Sequence, residues 1–248
     1  MTPDHSSDEV LDPVAAYDRV APVFADLSRR REAYLRKIEE LVVARLPPGS
    51  ESLLDVGSGD GGRAVRIARS AGIRKTVLLE PSASMRQSAD ASCEIWPIRA
   101  ETLADAVPSG GSFDVIICLW NVLGHIRAQE RLNVLKALEQ LLSPDGVLFV
   151  DVNHRYNMRA YGFWRTAGRI LYDRVLPSEN NGDVTMSWDV CGERCNTYGH
   201  VFTQIEMQRL ISGAGLVTRE TVFVDYDSGD IRRSGLKGNL FYVLRRGG

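Results

Sequence analysis

The sequence predicts an α/β fold built on a doubly wound, mostly parallel sheet. Three observations carry this. From residue 52 onward, short apolar runs alternate with stretches of helical periodicity, which places helices on both faces of a parallel sheet. A glycine-rich run, Leu53-Leu54-Asp55-Val56-Gly57-Ser58-Gly59-Asp60-Gly61-Gly62, stands where a strand gives way to a helix. The last two apolar runs are joined by a polar loop too short for a crossover helix, so they are expected to pair antiparallel.

Residues 1–12 read as a disordered tail. Tyr17, Val20, Ala21, Phe24 and Leu27 then recur at helical spacing, as do Tyr34, Ile38, Leu41 and Val42, until Pro47-Pro48-Gly49 ends the helical region. The expected strands are Ser52–Val56, Thr76–Glu80, Cys93–Ile98, Phe113–Leu119, Gly146–Val152, 216–225 and 239–245. Helices are expected near 61–71, 82–90, 101–106 and 128–142. The last carries the stripe Leu132, Leu135, Leu138 and Leu141, and Ser143-Pro144-Asp145-Gly146 turns the chain behind it. Residues 154–200 break the alternation, are rich in aromatics and glycines, and read as an irregular insertion over the end of the sheet. Thr203-Gln204-Ile205-Glu206 has the form of a capping box, with Phe202 and Met207 placed as a hydrophobic staple. The chain thus reads as a single domain over 1–248. Its parts are a tail and helical lid (1–50), a sheet half around the glycine loop (51–153), an insertion (154–200) and a C-terminal helix with a hairpin (201–248).

Composition narrows the function classes. Of 248 residues 44% are hydrophobic and 25% charged, the balance of a globular protein. Thirty basic residues against 32 acidic ones give a net charge of −2, which disfavours a dedicated nucleic-acid binder. The basic residues are 26 Arg and 4 Lys. Arg offers a planar, bidentate fork for anions, and five arginines fall within 155–174. No apolar run approaches the ~18 residues of a membrane span. The N-terminus has no basic start followed by an apolar stretch, so no export signal and no membrane partner are expected. Cys93, Cys118, Cys191 and Cys195 are too scattered for a disulfide framework or a zinc site, so no metal is expected and a cytoplasmic protein is read.

Two ligand types compete for the glycine loop. Gly57, Gly59 and Gly62 match the spacing G-x-G-x-x-G of dinucleotide sites. Asp55 at the strand end and Asp60 within the loop would repel a pyrophosphate and suit a cationic ligand instead. Glu80 ends the second strand, 25 residues after Asp55, where a carboxylate accepts ribose hydroxyls of either ligand. Pro81 then turns the chain and Ser82 can cap the next helix.

In these stretches the sequence resembles the class I S-adenosylmethionine-dependent methyltransferases: LLDVGSGDGG (53–62), VLLEPSASM (77–85), IRAETL (98–103), FDVIICLWNVLGHI (113–126) and LLSPDGVLFVDVN (141–153). The resemblance covers roughly residues 50–153 and implies a Rossmann-like doubly wound seven-stranded sheet with an antiparallel final strand, N-terminal helices and a lid insertion. It implies S-adenosylmethionine as cofactor and S-adenosylhomocysteine as product. By position, Asp55, Gly57, Ser58 and Gly59 would surround the methionine part, and Glu80, with Pro81 beside it, would hold the ribose. Met85 would pack near the adenine, with Ala100 and Glu101 at its amino edge. Leu119, Trp120 and Asn121 would floor the site near the sulfonium, and Tyr17 of the pair Tyr17-Asp18 would close over it.

The acceptor is less legible. Residues 118–121 read Cys-Leu-Trp-Asn, lacking the Asn/Asp-Pro-Pro-Tyr/Phe pattern of amide and exocyclic amine methylation and the Pro-Cys pair of the cytosine C5 route. His125, in the loop that faces the transferred methyl in this fold, is the leading base candidate, because its reference pKa of ~6.5 suits proton transfer near neutrality. The competing reading is a histidine that only bonds backbone. His154 and His200 are secondary candidates. Trp120, His154, Tyr156, Tyr161, Trp164 and Trp188 are the expected acceptor contacts, and their aromatic character points to a small, planar or apolar acceptor. The leading expectation is transfer to an N or O atom of such a molecule by a monomer or homodimer. Methylation of RNA or protein, a non-catalytic S-adenosylmethionine-binding regulator and a nicotinamide oxidoreductase are the alternatives.

Overall fold

The computed structural model describes residues 9–106 and 112–247. A short strand, β1 (Val10–Leu11), precedes α1 (Pro13–Val20), α2 (Phe24–Arg30) and α3 (Glu32–Val43). Asp12 caps α1 through Val14 N, and Pro13 occupies the first helical position, where its missing N–H has no partner to lose. On α3 the buried residues are Tyr34, Ile38, Leu41 and Val42, one face at helical spacing.

The alternating region follows as β2 (Ser52–Val56), α4 (Gly62–Ala71), β3 (Lys75–Leu79), α5 (Ala83–Arg86), β4 (Glu94–Trp96), α6 (Leu103–Ala106), β5 (Phe113–Cys118), α7 (Ala128–Gln140) and β6 (Leu142–Val152). β2 pairs in parallel with β3 and β5, β3 with β4, and β5 with β6. Beyond β6 come α8 (Met158–Tyr161), α9 (Phe163–Val175), β7 (Asp183–Val190), β8 (Glu193–His200), α10 (Gln204–Gly213), β9 (Leu216–Val224), β10 (Ile231–Arg232) and β11 (Asn239–Arg246). The main sheet runs β10-β9-β11-β6-β5-β2-β3-β4. β11 lies antiparallel to both β6 and β9, so the expected seven strands and final hairpin are present, with the two-residue β10 added at the edge.

Side chains of the central strands divide between two cores. In β5, Val115 and Ile117 join Tyr34, Ile38 and Leu41 on one face of the sheet. Ile116 and Cys118 join Leu135, Leu138, Met207 and Tyr242 on the other. Each fully buried leucine contributes about 1.5–3 kcal/mol relative to an exposed one. The capping box at Thr203 is complete. The Thr203 hydroxyl accepts from Glu206 N while the Glu206 carboxylate accepts from Thr203 N, and Phe202 and Met207 are both buried behind it.

Two expectations are corrected. Residues 154–200 are not irregular: α8 and α9 lead into the β7–β8 hairpin. In β7 exposed and half-buried positions alternate strictly, with Val184, Met186, Trp188 and Val190 turned inward. Cys191 and Gly192, both at positive φ, form the tight turn that matches strand twist. The second correction concerns the expected tail. Val10 and Leu11 pair in parallel with Asn196 and Thr197 of β8, giving a second sheet of order β1-β8-β7, while residues 1–8 lie outside the described residues. Residues 10 and 11 are therefore tied to the insertion.

The crossovers run to opposite sides of β2. β3 and β4 lie on one side and β5 and β6 on the other, which opens a crevice at the carboxyl ends of β2 and β5.

Candidate active site

A cavity of about 190 Å³ occupies that crevice. Its base is the turn after β2. Gly57 and Gly59 both stand at φ near +60°, a region glycine enters without strain. A Cβ on Gly57 would lie 2.7 Å from Val122, and one on Gly59 would lie 3.1 Å from Met85 Cε and 3.2 Å from Phe24 Cζ. Bare backbone is therefore what this turn presents.

The turn is lined with charge that the protein does not itself satisfy. Asp55 Oδ2, Ser58 Oγ and Arg63 Nε are buried without a hydrogen-bond partner. Arg63 reaches Asp55 Oδ1 only at 3.5 Å. Burial lifts the Asp55 carboxyl to about 6, and the Arg63 guanidinium partly opposes this. Glu80 accepts from Gly59 N and Ser82 N, both at 2.8 Å, and burial lifts it to about 7 against those two bonds. Unpaired acceptors beside an unpaired guanidinium Nε fit a ligand with a cationic and an anionic group together. Asp55 and Glu80 at the same turn do not fit a pyrophosphate.

The floor is the segment after β5. Trp120 and Asn121 both adopt φ of +62°, an uncommon conformation for two successive non-glycine residues. It is held by the buried Asp151 of β6, whose carboxylate accepts from Trp120 N and from the Tyr34 hydroxyl. The Asn121 side chain adds bonds to Asn153 N at 2.9 Å and His200 O at 3.3 Å. This backbone turns Trp120 into the cavity, where its ring packs 5.5 Å from Phe24 and its Nε1 donates to the Tyr226 hydroxyl at 3.1 Å.

The roof is α1. Asp18 accepts from Ser82 Oγ at 2.6 Å and Ser84 N at 3.0 Å, which fastens α1 onto α5 and holds the Asp18 carboxyl below its usual range. One residue earlier, the Tyr17 hydroxyl lies 3.0 Å from His125 Nε2. His125 Nδ1 lies 3.0 Å from the carbonyl of Tyr198. A carbonyl only accepts, so Nδ1 carries the proton, Nε2 is left with a lone pair, and Tyr17 donates to it. Burial lowers the His125 pKa and raises that of Tyr17, so both groups are neutral at physiological pH. Trp188 of β7 completes this corner, with its ring 5.5 Å from Tyr17 and 6.3 Å from His125.

The structure brings most of the expected cofactor residues to one cavity. Tyr17, Gly57, Ser58, Gly59, Glu80, Pro81, Ala100, Glu101, Leu119, Trp120 and His125 line the cavity. Asp55, Met85 and Asn121 are buried immediately behind that lining. Phe24, Arg63, Val14 and Val122 line it too and were not singled out as site residues by the sequence. Phe24 could have been found, because it follows Tyr17 by seven residues, two helical turns along one face.

Four expected acceptor contacts lie elsewhere, and a fifth, Trp188, packs against Tyr17 and His125 without lining the cavity. His154 Nδ1 is 2.6 Å from Gly235 O, and its ring packs edge-on to Tyr156. Tyr156 donates to Asp173 at 2.8 Å. Tyr161 sits under the Arg169 guanidinium, 4.3 Å from its ring centre. Trp164 is 84% exposed on α9. The insertion spends these groups on its own packing and surface because it is a folded helix and hairpin rather than a loop draped over the site. His200 is fully buried between the carboxylates of Asp183 and Glu206, away from the cavity. A wider cleft of about 440 Å³ between α7, α10 and residues 177–182 includes Tyr156. Its buried ions are paired internally, Arg131 with Glu206 and Arg155 with Asp173, and no orphaned polar atom faces it among the described residues. No group of three or more His, Cys, Asp or Glu is placed to hold a metal among the described residues. No helix there is long and apolar enough to cross a membrane.

Comparison with known proteins bears on this site. An uncharacterised protein of Rickettsia prowazekii is 26% identical over 144 residues, 56% of this chain and 57% of that protein, so the match spans little more than half of the curated relative. The CcbJ methyltransferase of Streptomyces caelestis superposes with a TM-score of 0.66 at 15% identity, covering 94% of this chain and 98% of its own. The 1,6-didemethyltoxoflavin-N1-methyltransferase of Burkholderia thailandensis, solved with 1,6-didemethyltoxoflavin and S-adenosylhomocysteine bound, superposes with a TM-score of 0.60 at 15% identity over 100% of this chain and 99% of its own. These likenesses place the fold among the Rossmann-like class I methyltransferases. The methyltransferase domain profile matches residues 27–221, well over half of the chain, and the protein belongs to that family.

Proposed function

We propose that this protein transfers a methyl group from S-adenosylmethionine to an N or O atom of a small, planar or aromatic molecule, as one domain spanning the chain. The observation that carries the reading is a single cavity with unpaired Asp55, Ser58 and Arg63 atoms behind its glycine turn and the Tyr17–His125 pair at its roof. When bound, the cofactor supplies an electrophilic methyl on a sulfonium. Arg63 would meet the carboxylate of its amino-acid end, Asp55 the ammonium, and Glu80 the ribose hydroxyls, with Pro81, Met85, Ala100 and Glu101 around the base. Leu119, Trp120 and Asn121 shape the floor.

The protein's own contribution to chemistry is placement and one proton transfer. Trp120 and Phe24 offer flat apolar faces that orient a planar acceptor and exclude water, while Trp188 backs the Tyr17 and His125 rings. His125 is the base. The Tyr17 oxygen takes the acceptor's proton as its own proton passes to His125 Nε2, so one proton moves to the imidazole and Tyr17 ends unchanged. The neutral, Nδ1-protonated ring is the form able to do this. The Burkholderia and Streptomyces neighbours, both methyltransferases, are in keeping with this class. The free thiols fit a reducing, cytoplasmic setting, and a net charge of −2 disfavours nucleic acid as the acceptor.

The test is direct. S-Adenosylhomocysteine should raise the melting temperature, and labelled S-adenosylmethionine should pass its methyl to members of a panel of small planar amines and phenols. Stabilisation by NADH alone would overturn the reading. Transfer only to RNA or protein would replace the acceptor class, and binding without transfer to any acceptor would make the protein a regulator.

A further inference from the structure

Helix α9 is amphipathic the wrong way round. Its inward face carries Thr166, Arg169 and Asp173 beside the half-buried Ala167 and Ile170, with Asp173 bonded to Arg155 and Tyr156. Its outward face carries Trp164, Gly168, Leu171 and Val175, and Trp164, Leu171 and Val175 are 84%, 65% and 66% exposed. Tyr172 flanks the stripe and Phe163 and Leu176 lie at its ends, all more than half exposed. A surface helix of a globular protein normally turns such a stripe inward. Weighting typical side-chain areas by these exposures gives roughly 600–700 Å² of exposed side-chain surface along this helix. That exceeds the largest patch usual on a monomer, ~300–600 Å², and approaches the ~800 Å² per partner of a stable interface.

The order of residues in the stripe indicates what covers it. The spacing 164, 168, 171, 175 alternates four and three, the repeat of a helix-pairing seam. If two copies of α9 run antiparallel about a two-fold axis midway between 168 and 171, Gly168 of one meets Leu171 of the other, and Trp164 meets Val175. Each layer sets a small or medium residue against a large one. Nothing lies within 4 Å of a Cβ built on Gly168, so a second backbone has room to approach. On the seam's edges, Arg165 of one copy falls beside Tyr172 of the other, a favourable cation–aromatic contact, and Arg174 falls beside Ala167. Such an isologous contact closes on itself as a dimer.

We propose that the protein is a two-fold homodimer joined through antiparallel packing of α9. Because α9 leads into β7, which carries Trp188, the pairing braces both insertions beside their sites.

Sedimentation equilibrium of the full chain tests this. The wild-type protein should be dimeric at about 100 µM, well above the dissociation constants usual for interfaces of this size. Leu171→Glu should weaken the dimer at least a hundredfold, while its melting temperature and its binding of S-adenosylhomocysteine stay close to those of the wild-type monomer. Gly168→Leu, which adds bulk where the second helix must approach, should weaken it at least tenfold. Ile205→Glu, which removes an exposed apolar residue on α10, should leave the dimer intact. A monomeric wild type at that concentration overturns the proposal, as does a Leu171→Glu protein that still dimerises. A monomer that instead sediments with anionic phospholipid vesicles assigns the face to a lipid surface and also overturns it.

Discussion

Tyr17 Oη donates to His125 Nε2 at 3.0 Å across 108 residues of sequence, joining the first helix to the segment after the fourth central strand. The bond uses the one imidazole nitrogen left with a lone pair, and it closes the cavity over the crevice of the sheet.

His125→Ala is expected to lower turnover about 10²–10⁴-fold, the usual worth of a general base, with cofactor affinity changed by less than about twofold. Tyr17→Phe keeps the ring and removes the relay, so it should lower turnover while the packing against Trp188 is kept. Steady-state kinetics with calorimetric cofactor binding separate the two effects. Unchanged turnover in His125→Ala removes the base assignment.

Cofactor affinity should depend on pH in a defined direction. Burial raises the free-state carboxyls of Asp55 to about 6 and Glu80 to about 7, so both bind protons more readily than exposed carboxyls. An ammonium beside Asp55 and hydroxyls on Glu80 favour the ionised forms. Affinity is therefore full above about pH 7 and falls as pH drops through 7 and then 6, by up to tenfold per unit for each group. Calorimetry with S-adenosylhomocysteine across this range is the check, and a flat profile would show that neither carboxyl meets the ligand.

Gly59→Ala combines a positive φ with a Cβ about to touch Met85 and Phe24. The conformation costs about 1–2 kcal/mol, and Phe24 must move as well. Loss of the thermal shift given by S-adenosylhomocysteine, in a protein that still melts cooperatively, is the expected result.

Asp18→Ala removes the bonds that hold α1 on α5. Hydrogen bonds to a carboxylate contribute about 1.5–3 kcal/mol, and less where the group is part-exposed as here. The variant should melt a few degrees lower and bind cofactor more weakly, because the roof that carries Tyr17 is no longer fastened. An unchanged affinity would mean that β1, through its pairing with β8, holds α1 by itself.

Much of the fold was legible because its signals are local. Alternation of apolar runs and helical stripes, the glycine turn after β2 and the capping box at Thr203 each depend on neighbours within a few residues. The β7–β8 hairpin was legible in principle, since β7 alternates with period two and Cys191-Gly192 supplies a tight turn. Its partner β8 is mixed in polarity, however, burying Asn196, Thr197 and His200 beside Cys195 and Tyr198, so it carries no apolar alternation. The aromatic density of the insertion predicts an acceptor pocket, yet Trp164 faces outward and His154, Tyr156 and Tyr161 are engaged with Gly235, Asp173 and Arg169. Residue type shows what a side chain can contact, but not which way its helix is turned.

The sequence by itself determined the doubly wound sheet, the bare backbone of the loop at Gly57 and Gly59, and the carboxylates Asp55 and Glu80 at the strand ends, because each follows from local periodicity or backbone sterics. Only the tertiary structure decided that Tyr17 meets His125, that Asp151 holds Trp120 in its left-handed turn, and that Phe24 reaches Gly59. Those contacts join segments far apart in the chain, and their geometry is set by how helices and strands pack, which no local pattern encodes.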